Sequence, residues 1–242
     1  MIKKIDLTVK KICEQPIVKK IHKRREASRE NILQVSMKLF YDVGYEKTTA
    51  RQIAQRSGIL IGSLYNIFPS KEEIFKAIIM DAYDNVLDES EGILKERGDY
   101  FSAIVFPGAL ELYAASRSKR AAELLYQAHQ SWNIVESLAE RSREWISSHF
   151  SDDMIPEVEI YHRNMLMILG CIGNLIGEFK NTDHNMNYRE GVRSVVSIFI
   201  FLFGKVSEDL GKSVDNVCDI VESEDIMIFG VDVLNEDKTS SG

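Results

Sequence analysis

Along most of this chain apolar residues return every three or four positions, and charged or polar residues fill the gaps. Ile32, Leu33, Val35, Leu39, Phe40 and Val43 set the pattern, and Gly44 ends it. The spacing predicts a helix opening at Glu26 and closing at Gly44. Thr49-Ala-Arg-Gln52 then has the form of a capping box, in which the hydroxyl takes an early backbone N–H and Gln52 reaches back. A second, short helix follows, stopped by Gly58 as a left-handed cap. A third covers about residues 61–68, before Pro69. Ser70-Lys-Glu-Glu73 repeats the capping signature and opens a longer helix running to about Leu94.

Beyond it the same period predicts helices at roughly 99–117, 119–129, 131–150, 156–180 and 187–210, with Pro107-Gly108 expected to break or kink the first of these. Residues 214–221 also fit a helix, residues 226–234 fit strand or helix, and the tail at 235–242 fits neither. The expected fold class is therefore all-α. Its expected parts are a basic arm at 1–25, a three-helix head at 26–80, a larger helical body at 81–234 and a disordered tail at 235–242. The first 25 residues are rich in Lys and Arg, and Pro16 interrupts any single long helix there, so an arm is the favoured reading over an amphipathic helix.

Charge sharpens this division. Residues 1–80 hold 16 Lys and Arg against 8 Asp and Glu, whereas the remainder holds 14 against 29. A basic front and an acidic back point to one part that meets a polyanion and another that does not. The three cysteines, Cys13, Cys171 and Cys218, are odd in number and widely spaced, which supports neither a disulfide framework nor a zinc site. With no continuous apolar run at the N-terminus, and none elsewhere long enough for a membrane helix, the expectation is a cytoplasmic protein with reduced thiols and no membrane partner.

Two short helices joined by a glycine turn in a basic segment point to a helix-turn-helix. Ala54 is small where the two helices would cross. Ile53, Ile59 and Leu64 are placed to form a small core that Phe40 and Phe68 join. That leaves the opposite face of residues 62–66 free, on a helix of a size that enters the major groove.

Here the resemblance becomes specific. Leu39-Phe40, Gly44, Thr48-Thr49, Ile53-Ala54, Gly58-Ile59, Gly62-Ser63-Leu64-Tyr65, Phe68 and Ser70-Lys71-Glu72, in this order and spacing, resemble the DNA-binding domain of the tetracycline-repressor (TetR) family. The match covers about one-fifth of the chain. The resemblance implies that Thr49, Ser63, Tyr65 and Lys71 grip phosphates, and that Arg51, Ile61, Gly62 and Asn66 face base edges. The chemistry agrees. Thr49 and Lys71 sit at helix N-termini, where backbone N–H groups favour anions. Arg51 has the fork for guanine and Asn66 the amide for adenine. Ile61 is suited to a thymine methyl. Each has a plainer alternative: Thr49 and Ser70 as caps alone, Tyr65 as core, Arg51 as a solvated charge. One departure stands out. Where the family usually has a capping residue at the start of the recognition helix, this chain has Leu60.

For the acidic half the resemblance implies effector binding and dimerisation, the last two long helices pairing with those of a second copy. Gly170, Gly173, Asn174 and Gly177 form one stripe of small residues on the first of them, suited to close helix approach, either to a partner or within the chain. The effector pocket is expected among residues 99–166, where Tyr113, Tyr126, His129, Trp132 and His162 are the candidate contacts. Glu159-x-x-His162 has the form of half a di-iron motif without a second copy, so no metal and no cofactor is expected. Neither a nucleophile elbow, a P-loop nor a dinucleotide fingerprint is found, and no enzymatic activity is expected. The expectation is a homodimeric repressor of double-stranded DNA, released from a palindromic operator by a small-molecule effector. The alternative is an activator or adaptor that works through protein partners without an effector.

Overall fold

The computed structural model describes residues 16–150, 157–181, 186–204 and 210–223, two short strands at 227–228 and 231–232, and side chains within these ranges from residue 23 up to Ser223. Ten helices are described: α1 Pro16–Val43, α2 Ala50–Arg56, α3 Ile61–Ile67, α4 Lys71–Arg97, α5 Tyr100–Arg117, α6 Lys119–Gln130, α7 Trp132–His149, α8 Val158–Lys180, α9 Tyr188–Phe203 and α10 Leu210–Ser223. Residues 227–228 and 231–232 form a minimal antiparallel pair, which settles the ambiguous stretch near the C-terminus as strand where it is described. The tail at 235–242 and the first fifteen residues lie outside the described residues.

Two expectations need correction. The first helix begins at Pro16 rather than Glu26, so residues 16–25 are helical and not an extended arm. Proline at a first helical position is no breaker, since its missing N–H would have no intrahelical partner there. Pro107, by contrast, lies inside α5, yet that helix runs unbroken to Arg117. Without an N–H, Pro107 leaves the Ala103 carbonyl short of its usual donor. Burial on almost every side holds the segment helical regardless: Ala103, Val105, Phe106, Pro107, Ala109 and Leu112 are all buried.

Helix ends elsewhere follow local chemistry. Gly98 and Gly204 adopt positive φ, at 62° and 64°, and close α4 and α9. The latter is why α9 stops at Phe203, short of the expected 210.

The head core gathers Ile32, Leu39 and Phe40 from α1, Ile53 and Ala54 from α2, Leu64 from α3, and Ile74 and Phe75 from α4. Phe40 and Phe75 meet edge to face at 5.5 Å, and Tyr45 packs on both. In the body α5 is the axis, packed against α4, α6, α8, α9 and α10. Arg189 of α9 fastens α10 through Glu222 (2.7 Å) and Asp219 (2.9 Å).

The small-residue stripe on α8 divides in two. A Cβ at Gly173 would lie 2.7 Å from His129 Cβ, and one at Gly177 would lie 3.0 Å from the Tyr126 ring, so these glycines serve close packing against α6 within the chain. Gly170 meets open space, and Asn174 donates its amide to the Gly170 carbonyl at 2.8 Å on the exposed side.

Candidate nucleic-acid interface and bundle cavity

The turn between α2 and α3 is built by three devices. Gly58 takes φ +68°, a region open to glycine without strain. Asn31 of α1 donates to the Ser57 carbonyl at 2.9 Å and so ties the turn to the first helix. Buried Thr48 donates to the Gly44 carbonyl at 2.8 Å, fixing the approach to α2. The capping box at Thr49 is complete: Gln52 N–H donates to Thr49 Oγ1, and the Thr49 N–H donates to Gln52 Oε1 at 2.8 Å. Only half of the second box forms. Ser70 Oγ accepts from Glu73 N–H at 3.1 Å, but the Glu73 carboxylate turns away to accept from Asn133 of α7.

Leu64 is the inner residue of α3, and Ile59 before it completes a hydrophobic staple with it against the head core. With that face fixed, Thr49, Arg51, Ile61, Gly62, Ser63, Tyr65 and Asn66 are all solvent-exposed. The core reading of Tyr65 is thereby set aside. Gly62 has an ordinary helical backbone and nothing within 4 Å of where a Cβ would stand, so nothing in the chain itself requires a glycine there. Leu60 is 79% exposed at the N-cap of α3 and makes no side-chain cap.

Lys71 differs from the other seven. Its ammonium donates to the Tyr45 carbonyl at 2.8 Å and lies 4.0 Å from the centre of the Tyr45 ring. Burial pulls its pKa below the ordinary lysine value, with Glu46 opposing. A lysine pinned in this way is half-buried, and it keeps two further donors for a phosphate at the start of α4.

In the body, a cavity of about 50 Å³ lies among α4, α5, α7, α8 and α9. Aliphatic and aromatic side chains make most of its wall. Its polar members are Tyr83, Glu111, Ser142 and Tyr161. The Tyr83 hydroxyl is bonded to Ser142 Oγ at 2.5 Å. Glu111 accepts from His129 Nε2 at 2.7 Å. Burial raises the pKa of both phenols far above the usual tyrosine value, so both stay neutral.

The five residues expected to contact an effector do not line this cavity. Tyr113 is buried against Tyr188, their rings 5.0 Å apart. Tyr126 packs on Gly177 beneath the Lys180 ammonium. Trp132 is 62% exposed at the start of α7, and His162 is half-buried on α8. Only His129 approaches, through Glu111. Tyr161 and Met165, from the same region of sequence, do line the cavity, whereas Tyr83 belongs to α4, upstream of the segment in which contacts were sought. Among the described residues no cluster of three His, Cys, Asp or Glu side chains is placed to hold a metal ion, and no helix is long and apolar enough to cross a membrane.

The two short helices α2 and α3 about the Gly58 turn, carried on a basic segment, form a helix-turn-helix head on a helical body. Residues 32–78 match the model for bacterial regulatory proteins of the tetR family. That segment, about one-fifth of the chain, is what the chain shares with the family. It is 35% identical over 82 residues to the HTH-type transcriptional repressor KstR2 of Mycolicibacterium smegmatis, covering 31% of this chain and 40% of that protein. To KstR2 of Rhodococcus jostii it is 34% identical over 70 residues, covering 29% and 34%. The likeness thus spans well under half the length of these relatives. Among solved structures, Thermus thermophilus FadR, a TetR-family transcriptional repressor in complex with lauroyl-CoA, superposes with a TM-score of 0.56 at 15% identity, covering 75% of this chain and 96% of that one. RolR in complex with resorcinol gives 0.55 at 15% identity, covering 81% and 95%. At that identity the two structures establish the shared fold of head and body.

Proposed function

We propose that the chain is a homodimeric transcriptional repressor that binds a palindromic operator through α2 and α3 and leaves it when a small molecule enters the bundle cavity. One observation carries the DNA-binding reading: seven of the eight residues assigned to DNA face solvent together, while Ile53, Ala54 and Leu64 of the same two helices are buried. In this reading Thr49, Ser63, Tyr65 and Lys71 hold phosphates, and Arg51, Ile61, Gly62 and Asn66 meet base edges. The Thr49 hydroxyl also lies 3.0 Å from Gln52 Oε1, so contact with a phosphate means turning it from Gln52.

The dimer reading is supported by an apolar outer face on α8 and α9. Phe201 is 84% exposed there, with Ile160 and Met167 also open to solvent. These are the exposed apolar side chains that a second copy would cover.

Helix α4 supplies the link between cavity and head. It buries Ile74 and Phe75 in the head, and its Tyr83 reaches the cavity. Lys76 donates to Asn133 at 2.6 Å and Ser131 donates to Glu72 at 2.7 Å, which fastens the start of α4 to α7. An effector that spreads the cavity moves this helix and with it the spacing of the two heads. It acts by favouring the spacing that fits DNA poorly. The cavity favours this reading over an adaptor without an effector, for which a filled body is expected.

Selection of binding sites from random DNA, followed by gel shift, tests the assignment. The expected result is a two-fold symmetric site with half-sites about 34 Å apart. Equal affinity for every sequence overturns it.

A further inference from the structure

The polar groups of the cavity specify what it accepts. Tyr161 is 1% exposed, lines the cavity, and its hydroxyl has no hydrogen-bond partner. Ser142 Oγ lies close enough to act on the Tyr161 phenol, but its hydrogen bond goes to the Tyr83 hydroxyl at 2.5 Å and it makes none of full geometry with Tyr161. A buried hydroxyl left without a partner is unfavourable, so such groups call for an explanation. Here the residue that carries the orphan lines a cavity.

The charges around the cavity restrict the explanation further. The one ionisable carboxyl in its wall is Glu111, with one oxygen engaged by His129. Among the described residues no Lys or Arg side chain lines it. An anionic group placed here would face Glu111 with no cation in the wall, Arg143 acting on Tyr161 only from outside it, and burying a charge without a direct partner is unfavourable. A wholly apolar molecule would leave Tyr161 as it stands. An oxygen on the ligand would satisfy it, since a neutral phenol donates.

Resting on the reading of this cavity as the effector site, we propose that it takes an uncharged, mostly apolar molecule bearing an oxygen that accepts a hydrogen bond from Tyr161, and that it excludes carboxylates. As closed, at about 50 Å³, the cavity holds a few waters or a group of a few heavy atoms. A ring-sized ligand therefore has to part the surrounding helices, α5 and α8 among them. That opening cost is common to ligands of one shape, so their relative affinities report on the polar groups.

The test uses the full chain and four probes of similar shape: benzyl alcohol, benzaldehyde, toluene and benzoate. Binding is followed by ligand-observed NMR with the wild type and Tyr161→Phe. Removal of a partnerless hydroxyl leaves the fold intact, which a matched urea midpoint checks. Benzyl alcohol and benzaldehyde are expected to bind the wild type and to weaken about three- to tenfold in Tyr161→Phe, the range of one net hydrogen bond. Toluene is expected to bind both proteins alike, and benzoate at least about a hundredfold more weakly than benzyl alcohol. Benzoate binding as well as benzyl alcohol, oxygenated probes indifferent to Tyr161→Phe, or no saturable binding of any probe each overturn the proposal. Release of operator DNA is scored separately. Probe binding with the expected order but without release supports the ligand chemistry and removes the effector reading instead.

Discussion

Leu60 offers the most direct check on how the recognition helix is held. Its backbone, at φ −70° and ψ 145°, is already that of an N-cap, yet its side chain caps nothing. A serine there places an oxygen within reach of the N–H groups of Gly62 and Ser63, a contact that contributes about 1 kcal/mol. Against this stands the burial lost with leucine. Leu60 is 79% exposed, so about a fifth of it is covered, and a fully buried leucine contributes about 1.5–3 kcal/mol, which makes the loss about 0.5 kcal/mol. Leu60→Ser should therefore gain about 0.5 kcal/mol. Leu60→Asp should gain about 1 kcal/mol, because its charge also favours the positive end of the helix. Urea unfolding followed by circular dichroism, at one fixed protein concentration, reads both as a rise in midpoint at constant slope. A gel shift should separate them in the other direction: Asp sets a negative charge against the DNA backbone and loses affinity, Ser far less. If neither variant raises the midpoint, α3 is not limited by its missing cap and the reasoning fails.

Three further predictions follow the same contacts. Lys71→Ala should weaken binding to all DNA sequences alike and lower the salt slope by about one, measured by salt-titrated gel shift; an unchanged slope removes Lys71 from the phosphate contacts. Gly62→Ala should stabilise the head by about 0.5–1 kcal/mol, since nothing lies near the new Cβ, while reducing DNA affinity, so urea midpoint and gel shift should move in opposite senses. Gly173→Ala should destabilise by about 1–3 kcal/mol, because the new Cβ meets His129 Cβ, an atom fixed close to its backbone, at 2.7 Å. A neutral urea midpoint for that variant would mean that α6 and α8 yield more readily than their packing implies.

The head was legible in the sequence because each of its signals is local. Thr49 caps three residues on, Gly58 turns at its own position, and the inner face of α3 follows from the period around Leu64. The body was legible only as helices. Its cavity joins Tyr83 to Ser142, 59 positions apart, and Glu111 to His129, 18 apart, and no periodicity records such pairings. Aromatic richness pointed to residues 99–166, where Tyr161 does line the cavity, but it gave Trp132 the same weight, although Trp132 faces solvent. The glycine stripe was equally two-sided. Gly173 and Gly177 turned inward because His129 and Tyr126 happen to stand opposite, which only the packing of α6 decides. Pro107 shows a related limit: a residue that breaks a helix in isolation is kept within one by a core on most sides.

Helix α4 runs from Lys71 to Arg97 without interruption, so the expected boundary at 80–81 falls within it. Head and body thus share a structural member rather than a linker. One cannot be cut away without opening a helix whose residues bury in both. The two halves should then melt together, in a single transition, and a ligand held beside Tyr83 should protect the helix-turn-helix from heat and protease although it touches none of it. On the proposed function, this makes the outer face of α2 and α3 a thermometer of the cavity: amide exchange at Leu64 would register occupancy deep in the body before any operator is present.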